Sequence, residues 1–232
     1  MTLVAHERTE EQVALCSDGL ALEARLAYPD DGLLAGRVLL CPPHPFLGGD
    51  MDNNVVRALS ASLASAGFGV LRFNYRGIGA SESARDLSED QAAFWQDSTC
   101  PRYEAEIARD CAAAFTTLPQ LLPGEAAPVL IGYSFGALPA LSMAQHTPLS
   151  ALVLIAPPVA RWPLEPAHLQ LSCPRLMVFA PDDFACPADQ MRRLQQQAGE
   201  ACVLEEIADA DHFFIGREDV LCQRITEFLV RS

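Results

Sequence analysis

From residue 11 to residue 28 the chain alternates. Leu20, Leu22, Ala24, Leu26 and Tyr28 fall on one side of an extended segment, with Glu23 and Arg25 on the other. A period of two marks a strand with one buried face, and Ser17-Asp18-Gly19 supplies a tight turn, so residues 11–17 and 20–28 are predicted to pair as an antiparallel edge hairpin. The pattern then changes to short, unbroken apolar runs at 37–41, 68–73, 128–133, 151–156, 175–180 and 202–207. Helix-compatible stretches lie between or after them, at 54–66, 103–118, from Ser134 to about 146, 188–198 and 217–230. In the first of these Val55, Leu59, Leu63 and Ala66 recur at helical spacing, Asp52, Asn53 and Asn54 offer caps, and Gly67 stops the run. Ile107, Cys111, Ala114, Phe115 and Leu118 share a side of the second, and Pro119 is predicted to break it. Apolar strands alternating with helices predict an α/β fold: a mostly parallel sheet with the N-terminal hairpin at one edge and helices on both faces.

Two stretches depart from the alternation. Residues 82–102 are acidic, with Glu82, Asp86, Glu89, Asp90 and Asp97, and carry the aromatic pair Phe94-Trp95. They read as an irregular solvated loop anchored by that pair, or as a flap over a site. Residues 157–173 hold three spaced anchors, Trp162, Leu164 and Leu169, and suit a short helix or an irregular crossing in place of a cap domain. No repeat or low-complexity segment interrupts residues 1–232, which read as one domain. Asn74-Tyr75-Arg76-Gly77-Ile78-Gly79 lacks the third glycine of a dinucleotide fingerprint and reads as a tight loop.

Half the residues are hydrophobic and 20% are charged, enough for a large core. A formal charge of −14 argues against nucleic acid and anionic membrane surfaces, and neither nucleic acid nor a membrane is expected as a partner. There is no apolar run of about 18 residues, and Met1–Arg8 lacks the basic-then-apolar order of a secretion leader. None of the eight cysteines forms a Cys-x-x-Cys pair, so zinc and thioredoxin-type chemistry have no support. Free thiols in a reducing cytoplasm are expected, with no metal and no organic cofactor.

The candidate chemistry gathers at Gly132-Tyr133-Ser134-Phe135-Gly136, where an apolar run meets a helix-compatible one. Ser134 sits at the centre of a Gly-x-Ser-x-Gly turn, a spacing that lifts a nucleophile out of a sharp strand-to-helix bend while the glycines remove side chains that would collide. A serine needs a base, and the base needs a carboxylate to orient it. Of the five histidines, His44 and His212 lie in loops expected at the carboxyl edge of the sheet. The carboxylate is expected after the strand at 175–180, where Asp182 and Asp183 are adjacent candidates, one of them free to form the turn or cap the helix. Backbone N–H groups must hold the developing oxyanion. Phe135 is one candidate. From the loop after residue 41, Pro45 has no N–H, so Phe46 is the other, with Leu47 behind it.

His44-Pro45-Phe46-Leu47-Gly48-Gly49, Asn74-Tyr75-Arg76-Gly77-Ile78-Gly79-Ala80-Ser81, the Ser134 turn and Ala210-Asp211-His212-Phe213-Phe214 together resemble the α/β-hydrolase superfamily. The chain is most similar to its small, largely cap-free, dienelactone-hydrolase-like members. The resemblance implies the order nucleophile, acid, base, hence Ser134, Asp and His212. Asp183, four residues before Pro187, stands in the family's register for the acid, although Ala180 replaces the usual glycine. The elbow carries serine where dienelactone hydrolases carry cysteine, and His44-Pro45 stands where many esterases have His-Gly. His44 is expected to order its loop or line the pocket. Phe46, Leu47, Trp95, Trp162, Phe184 and Phe213 are expected to close the pocket around a small acyl substrate. The implied activity is hydrolysis of small esters or thioesters through an acyl-enzyme. Acyl transfer or peptide hydrolysis on the same residues, and a non-catalytic binding protein on this fold, are the alternatives. Oligomeric state is left open.

Overall fold

The computed structural model describes residues 6–97 and 99–231. Met1–Ala5, most of the stretch read for a leader, lie outside them. Eight strands form one sheet: β1 (Arg8–Ser17), β2 (Leu20–Pro29), β3 (Gly36–Cys41), β4 (Phe68–Phe73), β5 (Val129–Tyr133), β6 (Ala151–Ile155), β7 (Arg175–Phe179) and β8 (Cys202–Glu206). Their spatial order is β1-β2-β4-β3-β5-β6-β7-β8. β1 pairs antiparallel with β2 and β2 with β4; the remaining pairs are parallel. Every residue of β4, β5, β6 and β7 is buried, as expected of parallel strands covered on both faces. β1, at the edge, is mostly exposed. Asp18 and Gly19, at φ 51° and 82°, form the two-residue turn that matches the hairpin's twist.

Among the described residues six helices cover the sheet: α1 (Asn54–Ser65), α2 (Ser88–Asp97), α3 (Pro101–Leu121), α4 (Ala137–Ala144), α5 (Ala188–Ala198) and α6 (Glu218–Arg231). α1 packs on α6, and α3 on α4. Asn53 is the residue that caps α1, its Oδ1 accepting the Val55 N–H at 3.0 Å.

Two expectations need correction. Residues 82–102 are not irregular: α2 occupies their centre, and α3 begins at Pro101. α2 was hard to read because only Asp90 and Phe94 are buried, so no apolar stripe marks it. It is held at its start by Asp86, which accepts the Ser88 N–H at 2.9 Å, and by Arg85, which pairs with Asp90 and with Glu106 of α3. α3 opens on a proline because the first helical position has no intrahelical use for an N–H. It also runs through Pro119 to Leu121, two residues past the expected break. Pro119 withholds one N–H from the Phe115 carbonyl and crowds it, and the helix ends two residues later.

The topology places the site. From β3 the chain steps outward to β4, then returns across β3 to β5. That reversal opens a crevice at the carboxyl ends of β3 and β5, where ligands bind in open α/β sheets. The loops after β3 and β5 carry His44–Phe46 and Ser134.

Candidate active site

Ser134 follows β5 directly and opens a 3-10 turn, Ser134–Gly136, that leads into α4. Its φ is 52°, a conformation that side chains rarely adopt and that persists only where surroundings enforce it. The enforcement is steric. A Cβ on Gly132 would collide with the Gly136 carbonyl, and one on Gly136 would collide with the Cys41 and Pro42 carbonyls of the loop after β3. The two glycines therefore let the elbow bend and let it lie against that loop.

Ser134 Oγ lies 3.0 Å from His212 Nε2, and His212 Nδ1 lies 2.9 and 2.8 Å from the two carboxylate oxygens of Asp183. All three residues are buried. The imidazole is thus hydrogen-bonded on both nitrogens, with the proton on Nδ1 facing the acid and Nε2 facing the hydroxyl. Asp183, not Asp182, reaches the histidine; Asp182 is exposed. The expected division of labour between the two does not hold. Asp183 Oδ1 also accepts the N–H of Ala185 at 2.8 Å and of Cys186 at 3.0 Å, so the aspartate that meets His212 is the one that forms the turn. The turn's amides hold in place the carboxylate that faces the histidine. Tyr133 adds a brace that the sequence reading overlooked: its hydroxyl donates to the His212 carbonyl at 2.8 Å, tying the loop after β8 to the elbow. Its position beside the nucleophile was the available signal.

The loop after β3 is a short 3-10 turn, Pro45–Leu47, capped by His44. His44 Nδ1 accepts the Phe46 N–H at 3.1 Å, which leaves the ring proton on Nε2. The ring stacks on Phe94 of α2, with centroids 4.4 Å apart, and meets Phe135 edge-on at 4.7 Å. Burial among these rings pushes its pKa down from 6.5 to about 4, so it is neutral near pH 7. The Phe46 ring is buried and stacks on Tyr103, 4.5 Å between centroids, so this side chain does not close the cleft as expected. The Leu47 N–H donates to the His44 carbonyl at 3.0 Å, so both candidate donors of this loop are internally bonded at rest.

A cleft of about 470 Å³ opens above Ser134 and His212. His44, Leu47, Trp95, Trp162, Phe184 and Phe213 all line it. So do Phe94 and Arg161, which the sequence reading did not place there. Arg161 donates to the Asp97 carbonyl and so ties the crossing at 157–173 to the end of α2. Among the described residues no carboxylate lines the cleft. Among the described residues no group of three or more His, Cys, Asp or Glu side chains is placed to hold a metal ion, and no helix is long and apolar enough to cross a membrane.

Comparison with known proteins agrees with this fold. The chain is 26% identical over 200 residues to an uncharacterised protein of Rickettsia prowazekii (strain Madrid E), covering 83% of this chain and 77% of that one. An alpha-beta serine hydrolase homologue from Coxiella burnetii superposes with a TM-score of 0.78 at 25% identity, over 94% of this chain and 96% of its own. A serine hydrolase without a lid from Xanthomonas campestris superposes with a TM-score of 0.76 at 22% identity, over 96% and 94%, a likeness of fold. The profile of the alpha/beta hydrolase fold matches residues 39–185, from β3 through the turn after Asp183. With the eight-stranded sheet, its antiparallel N-terminal hairpin and its six helices, the chain belongs to the α/β-hydrolase fold family, and is a hydrolase.

Proposed function

We propose that this hydrolase cleaves small esters or thioesters of apolar acyl groups through a serine-bound acyl-enzyme. The observation that carries the reading is the hydrogen-bonded chain from Ser134 through His212 to Asp183, opening into an apolar cleft. A free serine hydroxyl is a weak nucleophile near neutral pH; a base at 3.0 Å removes its proton as it attacks. Ser134 Oγ bonds to the acyl carbon while its proton passes to His212 Nε2. Asp183 stabilises the imidazolium. The bond to the leaving oxygen or sulfur then breaks, and His212 returns the proton to the leaving group. Water, deprotonated by the same nitrogen, attacks the acyl-enzyme and releases the acid.

The tetrahedral oxyanion needs donors. Phe135 N–H, next to the nucleophile, is one. Phe46 N–H is the other, and to serve it must turn from His44 Nδ1 to the substrate. A charged oxygen is the stronger acceptor, so the exchange is favourable when the oxyanion forms. The partner is a small acyl substrate. The eight free cysteines fit a reducing, cytoplasmic setting.

The test is labelling with a fluorophosphonate, followed by turnover of p-nitrophenyl esters and acyl-CoA thioesters of graded length. Wild type should label and Ser134→Ala should not. Turnover by Ser134→Ala at the wild-type rate would refute the nucleophile. A binding protein on this fold would not label at all, and an acyltransferase would prefer an alcohol or amine acceptor to water.

A further inference from the structure

Exposed large apolar side chains gather at the mouth of the cleft. Leu47, Trp95, Phe184 and Phe213 line the cleft yet remain largely exposed, Trp95 at 64% and Phe184 at 73%. Ile215, two residues past Phe213, is 76% exposed and does not line the cleft. These five side chains come from four separate segments: the loop after β3, α2, the loop after β7 and the loop after β8. The other exposed large apolar residues, Leu33, Val203, Val220 and Val230, line no part of the cleft. Soluble chains rarely gather exposed apolar side chains from several segments without something to cover them.

Charge decides what covers them. Each aromatic of the rim has an exposed carboxylate two residues away in sequence: Asp97 beside Trp95, Asp182 beside Phe184, and Asp211 beside Phe213. None of these carboxylates lines the cleft. Asp97 pairs with Arg161, the cation of the cleft wall, at 3.8 Å, so the rim is an apolar ring with one ion pair on the α2 side and the carboxylates of Asp182 and Asp211 on the other, on a chain whose formal charge is −14.

We propose that this rim docks on a zwitterionic, choline-headed lipid surface, from which the enzyme draws an ester substrate; the second half rests on the function proposed above. An occupant of the rim has to leave Ser134 reachable. A protein seated there would cover the mouth, and a second copy would set two mouths and two sets of carboxylates against each other. A lipid surface is both the occupant and the source of substrate. Exposed tryptophan and phenylalanine insert at the headgroup level of a bilayer, and the flanking carboxylates meet quaternary ammonium groups there. An anionic surface would be repelled.

The experiment measures binding of Ser134→Ala protein, which cannot turn over lipid, to phosphatidylcholine vesicles by sedimentation and by Trp95 fluorescence. Binding is expected, at least about tenfold tighter than to phosphatidylserine vesicles at low salt. Adding Ile215→Asp should weaken it about tenfold or more, since one buried Ile side chain is lost and a charge is placed at the interface. In the otherwise wild-type enzyme, Ile215→Asp should leave hydrolysis of soluble p-nitrophenyl acetate unchanged and lower hydrolysis of an ester embedded in phosphatidylcholine by a similar factor. No binding to phosphatidylcholine, tighter binding to phosphatidylserine, or equal binding by the Ile215→Asp variant would overturn the proposal. So would self-association in the ultracentrifuge that Ile215→Asp abolishes, which would assign the rim to a second copy. Failure of the hydrolase reading shows separately, as wild-type protein that binds vesicles but hydrolyses no soluble ester.

Discussion

Acid should destabilise this protein in part through His44. The ring is 1% exposed, accepts the Phe46 N–H on Nδ1 and is surrounded by Phe46, Phe94, Tyr103 and Phe135. With no carboxylate beside it to compensate, burial alone lowers its pKa from 6.5 to about 4. The unfolded chain takes up a proton as the pH falls through 6.5, and the folded chain resists it. The native state is therefore undiminished above pH 6.5 and loses stability as the pH falls towards 4. Between pH 7 and 4.5 this one residue should remove about 2 kcal/mol. His44→Phe keeps an aromatic ring in the stack and removes the titration. It also leaves the Phe46 N–H without an acceptor, which costs about 1–3 kcal/mol at every pH. Wild type should thus be the more stable protein at pH 7, and the gap should narrow by about 2 kcal/mol at pH 4.5. Urea denaturation with linear extrapolation, at several pH values between these limits, measures both curves. If the two curves run parallel, burial does not hold His44 neutral and the reasoning fails.

Asp183→Asn should lower ester turnover by about 10⁴, as loss of the orienting acid does in a comparable triad, while Asp182→Asn leaves turnover of a soluble ester unchanged; the reverse result in steady-state assays would move the acid by one residue. Gly136→Ala should destabilise the elbow by about 3 kcal/mol or more, because its Cβ meets backbone carbonyls that cannot yield; soluble yield, thermal unfolding and fluorophosphonate labelling should all fall. Asp110 is fully buried, and both its oxygens bond Arg76 below the cleft. Asp110→Ala leaves that buried guanidinium only Ser17 and the half-exposed Asp18, both on Nη2, and should cost about 3–5 kcal/mol, read as a fall of roughly 10 °C in Tm. Asp18→Asn, which keeps a residue suited to the positive φ of the hairpin turn, should change Tm much less.

The sequence alone determined the sheet and the elbow turn. Unbroken apolar runs are legible because parallel strands are buried on both faces, and Gly132-Tyr133-Ser134-Phe135-Gly136 is legible because a bend this tight excludes side chains at two fixed positions. Local pattern failed where burial did not follow a stripe. α2 is held by Arg85, by Asp86 and by one buried phenylalanine, contacts that leave no period in the residues. Only the tertiary structure decided which of two neighbouring aspartates faces His212, since side chains one residue apart point in different directions and the direction is set by the turn that Asp183 itself closes. The same holds for His44. Its neutrality arises from Phe94 and Phe135, 50 and 91 positions away in the chain, and no local signal records how deeply rings from three segments bury one another. The rim was legible in part: Leu47, Trp95, Phe184 and Phe213 are expected at the pocket from the sequence, but that they stay exposed there while Phe46 turns into the core is decided only by how the loops meet at the carboxyl edge of the folded sheet.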